Sequence, residues 1–227
     1  MEFKKYKKIE YIESKPKNSQ GKMPTLIYLH GAGSRQSDLE ILSKNQFYED
    51  YSIFPTENSD FLCFTPLCYA NSWFDIFEQL QDFVNMIAAR EDVDSERLYL
   101  MGSSMGGYGT WQLAMTMPDT FAAIVPICGG GMYWNVWELH KTYVWAFHGI
   151  EDDCVSCEES KKMVNAINSQ ENNLKARLTL LENVRHDSWI TALSSREVYD
   201  WLLSKKKIRG EADESEKVSF ADVEKYG

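Results

Sequence analysis

A glycine-flanked serine between an apolar run and a helical segment constrains this chain more than any other feature. Gly102-Ser103-Ser104-Met105-Gly106 follows the apolar run Leu98-Tyr-Leu-Met101 and precedes a predicted helix from Met105 to Met115. In a G-x-S-x-G turn between strand and helix, side chains at the glycine positions would collide with the neighbouring strand and helix. The pattern therefore predicts a serine hydroxyl that projects from a sheet edge, beside the positive end of a helix.

Short apolar runs alternate with segments of helical spacing. Runs that read as strands, mostly buried on both faces, are Leu26–Leu29, Phe61–Thr65, Arg97–Met101, Phe121–Ile127, Tyr143–Phe147 and Ala176–Leu181. An additional strand around Lys8–Glu13 is expected to pair at an edge. Helices are predicted over Trp73–Arg90, Ser156–Asn168 and Ser188–Leu203. This order predicts an α/β fold with a mostly parallel central sheet flanked by helices.

The length of 227 residues suits one domain with a well-buried core. We expect this single domain to cover residues 1–203. Residues 204–227 are mostly Lys, Glu, Asp, Ser and Ala, and they predict a polar C-terminal extension with at most a weak helix at 219–226.

The net charge of −10 disfavours nucleic acid and anionic membranes as partners, because both are bound through clustered Lys and Arg. No apolar run approaches the roughly 18 residues that cross a bilayer. The basic N-terminal residues lack the apolar stretch of a signal peptide. A cytoplasmic location is expected, or a secreted one if a leader precedes Met1. The sequence predicts no oligomeric state.

The chain has five cysteines, an odd number that argues against a disulfide framework. Cys154-Val-Ser-Cys157 has C-x-x-C spacing, so redox and metal chemistry are alternatives. No second C-x-x-C and no nearby pair of histidines completes a metal site. Reduced structural thiols are therefore expected, with no metal and no cofactor.

A serine hydroxyl needs a base to accept its proton, and the acid and base follow the serine in that order in this arrangement. His140 and His148 precede any suitable acid, which leaves His186, on the loop after the last predicted strand. The acid should lie after the strand Tyr143–Phe147, where Glu151, Asp152 and Asp153 are adjacent. One of the three is expected to turn inward, but their spacing does not choose which.

An oxyanion at the serine would need two N–H donors. Met105 supplies one, directly after the serine. The other should come from the small-residue segment His30-Gly31-Ala32-Gly33, with Ala32 as the predicted donor and Gly33 as the alternative. This segment lacks the Lys and Ser/Thr of a phosphate-binding loop.

Four segments resemble those of α/β-hydrolase esterases, in the phospholipase/carboxylesterase and dienelactone-hydrolase-like branch that includes predicted peptidases. They are Leu29-His-Gly-Ala-Gly33, Asp94 to Trp111, His148-Gly-Ile-Glu-Asp-Asp153 and Arg185-His-Asp-Ser-Trp189, within a similarity over about residues 24–203. The resemblance implies the α/β-hydrolase fold and a triad of Ser104, Asp152 and His186. It selects Asp152 because the acid of that family stands four residues after the His of a His-Gly pair. Arg185 departs from the family pattern and could alter the preference for a charged substrate.

Aromatic residues form two groups that could line a substrate pocket or pack in the core. Met132, Tyr133, Trp134 and Trp137 lie between Cys128 and Thr142, the only obvious place for a small cap, and Trp73 and Phe74 form the second group. We predict Trp73, Phe74, Trp134 and Trp137 as substrate-binding residues.

A minimal cap and an aromatic, shallow site predict short-chain or aromatic acyl esters, including esters of carbohydrates. The alternatives are a thioesterase or serine peptidase of the same superfamily, and a non-catalytic binding protein on the same fold.

Overall fold

A computed structural model describes residues 1–17, 20–44, 60–171 and 173–208, and the backbone of 225–226. Within these residues, one sheet contains the strands β1 (Glu2–Tyr6), β2 (Ile9–Ser14), β3 (Met23–Leu29), β4 (Leu62–Pro66), β5 (Val93–Ser103), β6 (Ala123–Ile127), β7 (Tyr143–Gly149), β8 (Arg177–Leu181) and β9 (Lys225–Tyr226). Their order is β1-β2-β4-β3-β5-β6-β7-β8-β9. The pairs β1–β2 and β2–β4 are antiparallel, and every later pair is parallel.

The α-helices of the described residues are α1 (Leu39–Leu42), α2 (Phe77–Ala88), α3 (Met105–Thr116), α4 (Glu158–Asn168), α5 (Trp189–Ser194) and α6 (Arg196–Leu203). Three 3₁₀ segments cover Ala32–Ser34, Phe74–Ile76 and Tyr133–Leu139. The single helix predicted over 188–203 is two helices, because Ser195 adopts an extended conformation between α5 and α6. No helix among the described residues combines the length and apolar character that crossing a membrane requires.

The central strands are buried on both faces, as their continuous apolar runs predict. Along β5, Leu98 and Leu100 point into a core that contains side chains of α2, α3 and α4. Tyr99 and Met101 point into a second core, which contains side chains of α5 and α6. The sheet therefore lies between two helical layers, and the predicted fold class is confirmed.

The edge strand expected around 8–13 is instead part of a hairpin. Lys7 has a positive φ of 52° in the turn between β1 and β2. β1 lies at the sheet edge, while β2 pairs with both β1 and β4. The sequence missed β1 because its residues are largely exposed and its apolar pattern is weak.

The described part of the C-terminal extension contacts the domain. The hydroxyl of Tyr99 donates to the carbonyl of Lys205 at 2.8 Å, and the amide of Lys207 donates to the carbonyl of Glu96 at 2.9 Å. Two residues further along the chain, 225–226, form a strand beside β8 where the sequence predicted at most a weak helix. Residues 209–224 and 227 lie outside the described residues, so the division at 203 stays a prediction.

Candidate active site

Ser104 occupies the turn between β5 and α3. Its φ of 55° and ψ of −116° are unusual for a residue with a side chain, so the backbone is strained at this position. The amide of Ser104 donates to the carbonyl of Ile127, the last residue of β6, at 2.9 Å. The turn is thereby fixed to the adjacent strand, and Ser104 lies at the carboxyl edge of the sheet.

The two glycines of the G-x-S-x-G pattern are needed for close backbone packing. A Cβ at Gly106 would fall on the carbonyl of Leu29 in β3, and one at Gly102 would fall on the carbonyl of Gly106. Any side chain here would push α3 away from the sheet. The structure therefore confirms the predicted collision of side chains at these two positions with the neighbouring strand and helix.

Ser104, His186 and Asp152 form a continuous chain of hydrogen bonds. The Oγ of Ser104 lies 2.8 Å from Nε2 of His186, and Nδ1 of His186 lies 2.7 Å from Oδ2 of Asp152. A carboxylate only accepts, so Nδ1–H donates to Asp152 and leaves Nε2 free to accept the hydroxyl proton. The three residues follow the ends of β5, β8 and β7, which meet at one edge because these strands are parallel.

Asp152 is the acidic residue that turns inward. Its side chain is fully buried, whereas Glu151 is exposed and the side chain of Asp153 is half exposed. Its Oδ1 accepts from the amides of Cys154 at 2.9 Å and Val155 at 2.8 Å.

These bonds determine the protonation state of Asp152. Burial alone would raise the pKa of this carboxyl. The hydrogen bonds from the Val155 amide, from His186 and from the Cys154 amide more than offset burial, so the pKa lies below its usual value. Asp152 is therefore ionised at neutral pH, as an acceptor for His186 requires.

The loops that carry Asp152 and His186 are joined through their backbones. The amide of Ile150 donates to the carbonyl of Leu181 at 2.9 Å, and the amide of Glu151 donates to the carbonyl of Val184 at 3.0 Å. A Cβ at Gly149 would fall on the carbonyls of Val184 and Arg185. Sequence reasoning gave Gly149 no role of its own, although its place in the His-Gly pair was a signal.

Met105 and Ala32, the two predicted N–H donors, each begin a helical segment. Met105 is the first residue of α3, so its N–H has no acceptor within its own helix. Ala32 likewise begins a 3₁₀ segment. The adjacent Gly31 packs against the turn that contains Ser104, since a Cβ built on it would lie 3.5 Å from the Cβ of Ser104. The loop of Ala32 therefore lies next to Ser104, as an oxyanion site requires.

A buried histidine and a buried tryptophan hold this loop. The Nδ1 of His30 bonds the carbonyl of Gly31 at 2.7 Å, while its Nε2 accepts from the amide of Cys68 at 3.1 Å. Burial lowers the pKa of His30 to about 4, so the ring is neutral. The indole N–H of Trp73 donates to the carbonyl of His30 at 3.0 Å.

The prediction that Trp73 contacts substrate is wrong, because its side chain is 0% exposed. Trp73 is a core residue that positions the loop of Ala32. The sequence had no means of separating it from its exposed neighbour Phe74, which stacks on Phe77.

The structure also places Trp137 away from Ser104, although the sequence predicted it as a substrate-binding residue. The 3₁₀ segment Tyr133–Leu139 leads from the end of β6 back to the start of β7, and Trp137 lies near its far end. Trp137 and His140 line an open cleft with residues 169–171 and Asn173, which precede β8. This cleft is at the edge where the parallel strands begin, and the length of β7 separates it from the triad by roughly 20 Å. Trp134, 68% exposed and nearer the end of β6, remains a candidate for the rim.

Cys128 lies beside the triad, which sequence reasoning missed. A ligand atom from each of Cys128, Asp152 and His186 lies within 4.8 Å of the other two, and among the described residues Asp152, Asp153 and Cys154 form a second such group. Burial raises the pKa of Cys128 to about 12, so its thiol is protonated at neutral pH. The signal was its position directly after β6, the neighbour of β5. None of the five cysteines is in a disulfide; Cys154 is exposed and Cys157 is buried.

Comparisons with known proteins agree with this architecture. Residues 74–146 match the prolyl oligopeptidase family. The chain is 24% identical over 137 residues to poly(3-hydroxyalkanoate) depolymerase C of Paucimonas lemoignei, which covers 54% of this chain and 31% of that protein.

Solved structures give the same result. A thermostable esterase superposes with a TM-score of 0.73 and 29% identity, over 88% of this chain and 60% of that chain. Est1E from Butyrivibrio proteoclasticus superposes with a TM-score of 0.65 and 14% identity, over 90% and 99% of the two chains. This chain has the α/β-hydrolase fold, and its resemblance to the esterase branch is confirmed. It spans about a third of the depolymerase and three fifths of the thermostable esterase.

Proposed function

We propose that this chain is a serine hydrolase that cleaves carboxylic esters through an acyl-enzyme. The observation that carries the proposal is the chain of hydrogen bonds from Ser104 through His186 to the buried carboxylate of Asp152. Available amides at Met105 and Ala32 beside the serine support the same chemistry. The 29% identity with a thermostable esterase also supports it.

The reaction follows from this geometry in two steps. His186 Nε2 accepts the proton of Ser104 as Oγ attacks the ester carbonyl carbon, and the amides of Met105 and Ala32 bind the resulting oxyanion. Collapse breaks the bond to the leaving oxygen, which takes the proton from His186. Water then attacks the carbonyl carbon of the acyl-enzyme while His186 accepts a proton from it. Collapse breaks the bond to Ser104 Oγ, which takes the proton back from His186, and the carboxylic acid is released. Asp152 keeps the imidazole in the required tautomer throughout.

The proposed substrates are short-chain or aromatic acyl esters, with acylated carbohydrates as the natural class. Among the described residues, the connection between β6 and β7 contains only a short 3₁₀ segment, which would leave the site shallow. Phe74 and Trp134 are exposed on segments that follow β4 and β6, where they could contact an acyl or leaving group. Long acyl chains would need a larger cover.

The test is hydrolysis of p-nitrophenyl esters from acetate to decanoate, together with ferulate, acetylated sugar and 3-hydroxybutyrate oligomer esters. Ser104→Ala should lower kcat by several orders of magnitude. Ser103→Ala is the matched control, because Ser103 is adjacent and bonds the hydroxyl of Tyr28 instead, at 2.9 Å. A wild-type protein that cleaves no ester and is not labelled by a fluorophosphonate at Ser104 would contradict the proposal. A preference for decanoate would contradict the substrate class alone.

A serine peptidase is the second candidate, favoured by the match of residues 74–146 to the prolyl oligopeptidase family. Peptide-bond cleavage would use the same triad but must protonate a poorer leaving group. Matched acyl p-nitroanilides and p-nitrophenyl esters distinguish the two. An esterase should favour the ester far more than the intrinsic reactivity of the two substrates explains. The expected cytoplasmic location stays a prediction.

A further inference from the structure

A second histidine lies against the buried carboxylate of the triad. The Nε2 of His148 is 3.2 Å from Oδ2 of Asp152, and both side chains are fully buried. The same oxygen accepts the bond from Nδ1 of His186. We propose that His148 is a positioning residue that donates a hydrogen bond to Asp152 and thereby fixes the oxygen that orients His186. This inference rests on the proposed hydrolase function.

The contacts of His148 determine which nitrogen carries the proton. Its Nε2 faces two acceptors, the carboxylate of Asp152 and the carbonyl of Val155 at 2.9 Å. A lone pair at this nitrogen would be repelled by both oxygens, so Nε2 bears the proton. Its Nδ1 then accepts the hydrogen bond from the single hydroxyl proton of Ser160, at 2.7 Å, in place of the carbonyl of Gly129, which lies 3.0 Å from the same oxygen. Burial lowers the pKa of His148, which keeps this ring neutral.

With this tautomer, nitrogen donors lie against both oxygens of the carboxylate of Asp152. Oδ1 accepts two backbone amides, from Cys154 and Val155. Oδ2 accepts from Nδ1 of His186 and lies 3.2 Å from Nε2 of His148, whose single N–H also faces the carbonyl of Val155 at 2.9 Å. Val155 takes part twice, because its carbonyl accepts from His148 while its amide donates to Asp152. A carboxylate held at both oxygens resists rotation away from His186. The arrangement therefore fixes both the direction and the basicity of Oδ2.

His148 is itself held from outside the site. Ser160, in α4, lies 2.7 Å from Nδ1 of His148 and 3.0 Å from the carbonyl of Gly129. His148 is the penultimate residue of β7, so its backbone is fixed by the sheet. This support is buried, because His148 and Ser160 are both 0% exposed. We therefore expect a substitution at His148 to act on Asp152 through the lost N–H donor.

The test compares two substitutions that remove the ring. His148→Gln can place an amide N–H near the position of Nε2, whereas His148→Leu has no donor. Hydrogen bonds to charged groups are strong enough that His148→Leu should lower kcat by about 10- to 100-fold, with KM changed by less than about 3-fold. His148→Gln should retain kcat within about 5-fold of the wild type. Rates are expressed per site titrated with a fluorophosphonate, so that unfolded protein does not count.

A second measurement does not depend on turnover. Nitrogen NMR of the His186 ring should show a single tautomer with the proton on Nδ1 in the wild type and in His148→Gln, and a mixture in His148→Leu. Equal kcat in His148→Leu and the wild type, or equal losses in the two variants, would overturn the proposal. An unchanged His186 tautomer in His148→Leu would also overturn it. Failure of the proposed function is recognised separately, because the wild type would then neither cleave esters nor react with the fluorophosphonate.

Discussion

The guanidinium of Arg185 contacts the carboxylate of Asp153, so the residue before His186 is paired with the residue after Asp152. Both side chains are at least half exposed, and such ion pairs contribute only about 0–1 kcal/mol to stability. The positive charge of Arg185 is therefore paired with a carboxylate of the loop that contains Asp152. A role of Arg185 in attracting charged substrates would therefore compete with Asp153.

Two adjacent carboxylates give the sharpest test of the acid. Asp152→Asn should lower kcat by about 1,000- to 10,000-fold, because an amide N–H in place of a carboxylate oxygen favours the wrong tautomer of His186. Asp153→Asn should change kcat by less than about 3-fold, since it loses only an exposed contact. Steady-state hydrolysis of one p-nitrophenyl ester measures both. Similar losses in the two variants would contradict the assignment of Asp152.

Trp73 and Trp134 should respond to truncation in opposite ways. Trp73→Ala removes a fully buried side chain that also bonds the carbonyl of His30, and we expect a loss of about 3–5 kcal/mol in unfolding free energy. Trp134→Ala removes a side chain that is 68% exposed, and it should change the unfolding free energy by less than about 0.5 kcal/mol. Urea denaturation measures both values. If Trp134 lines the substrate site, Trp134→Ala should also change how the rate of ester hydrolysis depends on acyl-chain length. An unchanged dependence would show that Trp134 does not contact the acyl chain.

The sequence predicted the central part of the fold well because alternation of apolar strands and amphipathic helices is a local pattern. It placed Ser104 correctly because the glycines around it report a backbone constraint. It could not place Trp73 or Trp137, since burial of an aromatic ring depends on packing between distant segments. It also missed the second contact of Asp152, with His148. That contact arises because β7 ends in a loop that turns back on itself, which the spacing of four residues between His148 and Asp152 does not by itself reveal.

The glycines of the nucleophile turn give a stability test. Gly106→Ala places a Cβ on the carbonyl of Leu29, so α3 must move, and we expect a loss of more than about 2 kcal/mol in unfolding free energy. Gly33→Ala is the matched control, because a Cβ there meets no atom within 4 Å. Thermal and urea unfolding of the two variants give the comparison. A Gly106→Ala protein as stable as Gly33→Ala would contradict the close packing of α3 on β3.

The pH dependence of stability should depend on Asp92. Hydrogen bonds from Arg90, at 2.9 Å to each oxygen, lower the pKa of Asp92 to about 2 in the folded protein. The unfolded value is about 3.9, so the folded state gains stability from the ionised carboxylate above that pH, and loses it as the pH falls towards 2. Asp92→Asn should therefore lower the unfolding free energy by about 1–2 kcal/mol at pH 6, and by progressively less between pH 4 and pH 2.

Asp119→Asn is the control for this experiment, because the side chain of Asp119 is 63% exposed. Asparagine also tolerates the positive φ of 62° at that position. Urea denaturation at pH 6, 4 and 2.5 should show a difference from the wild type that shrinks with pH for Asp92→Asn and stays small for Asp119→Asn. A difference at Asp92 that is independent of pH would mean that the loss comes from packing and not from the charge, and Arg90 would then not be the cause of the lowered pKa.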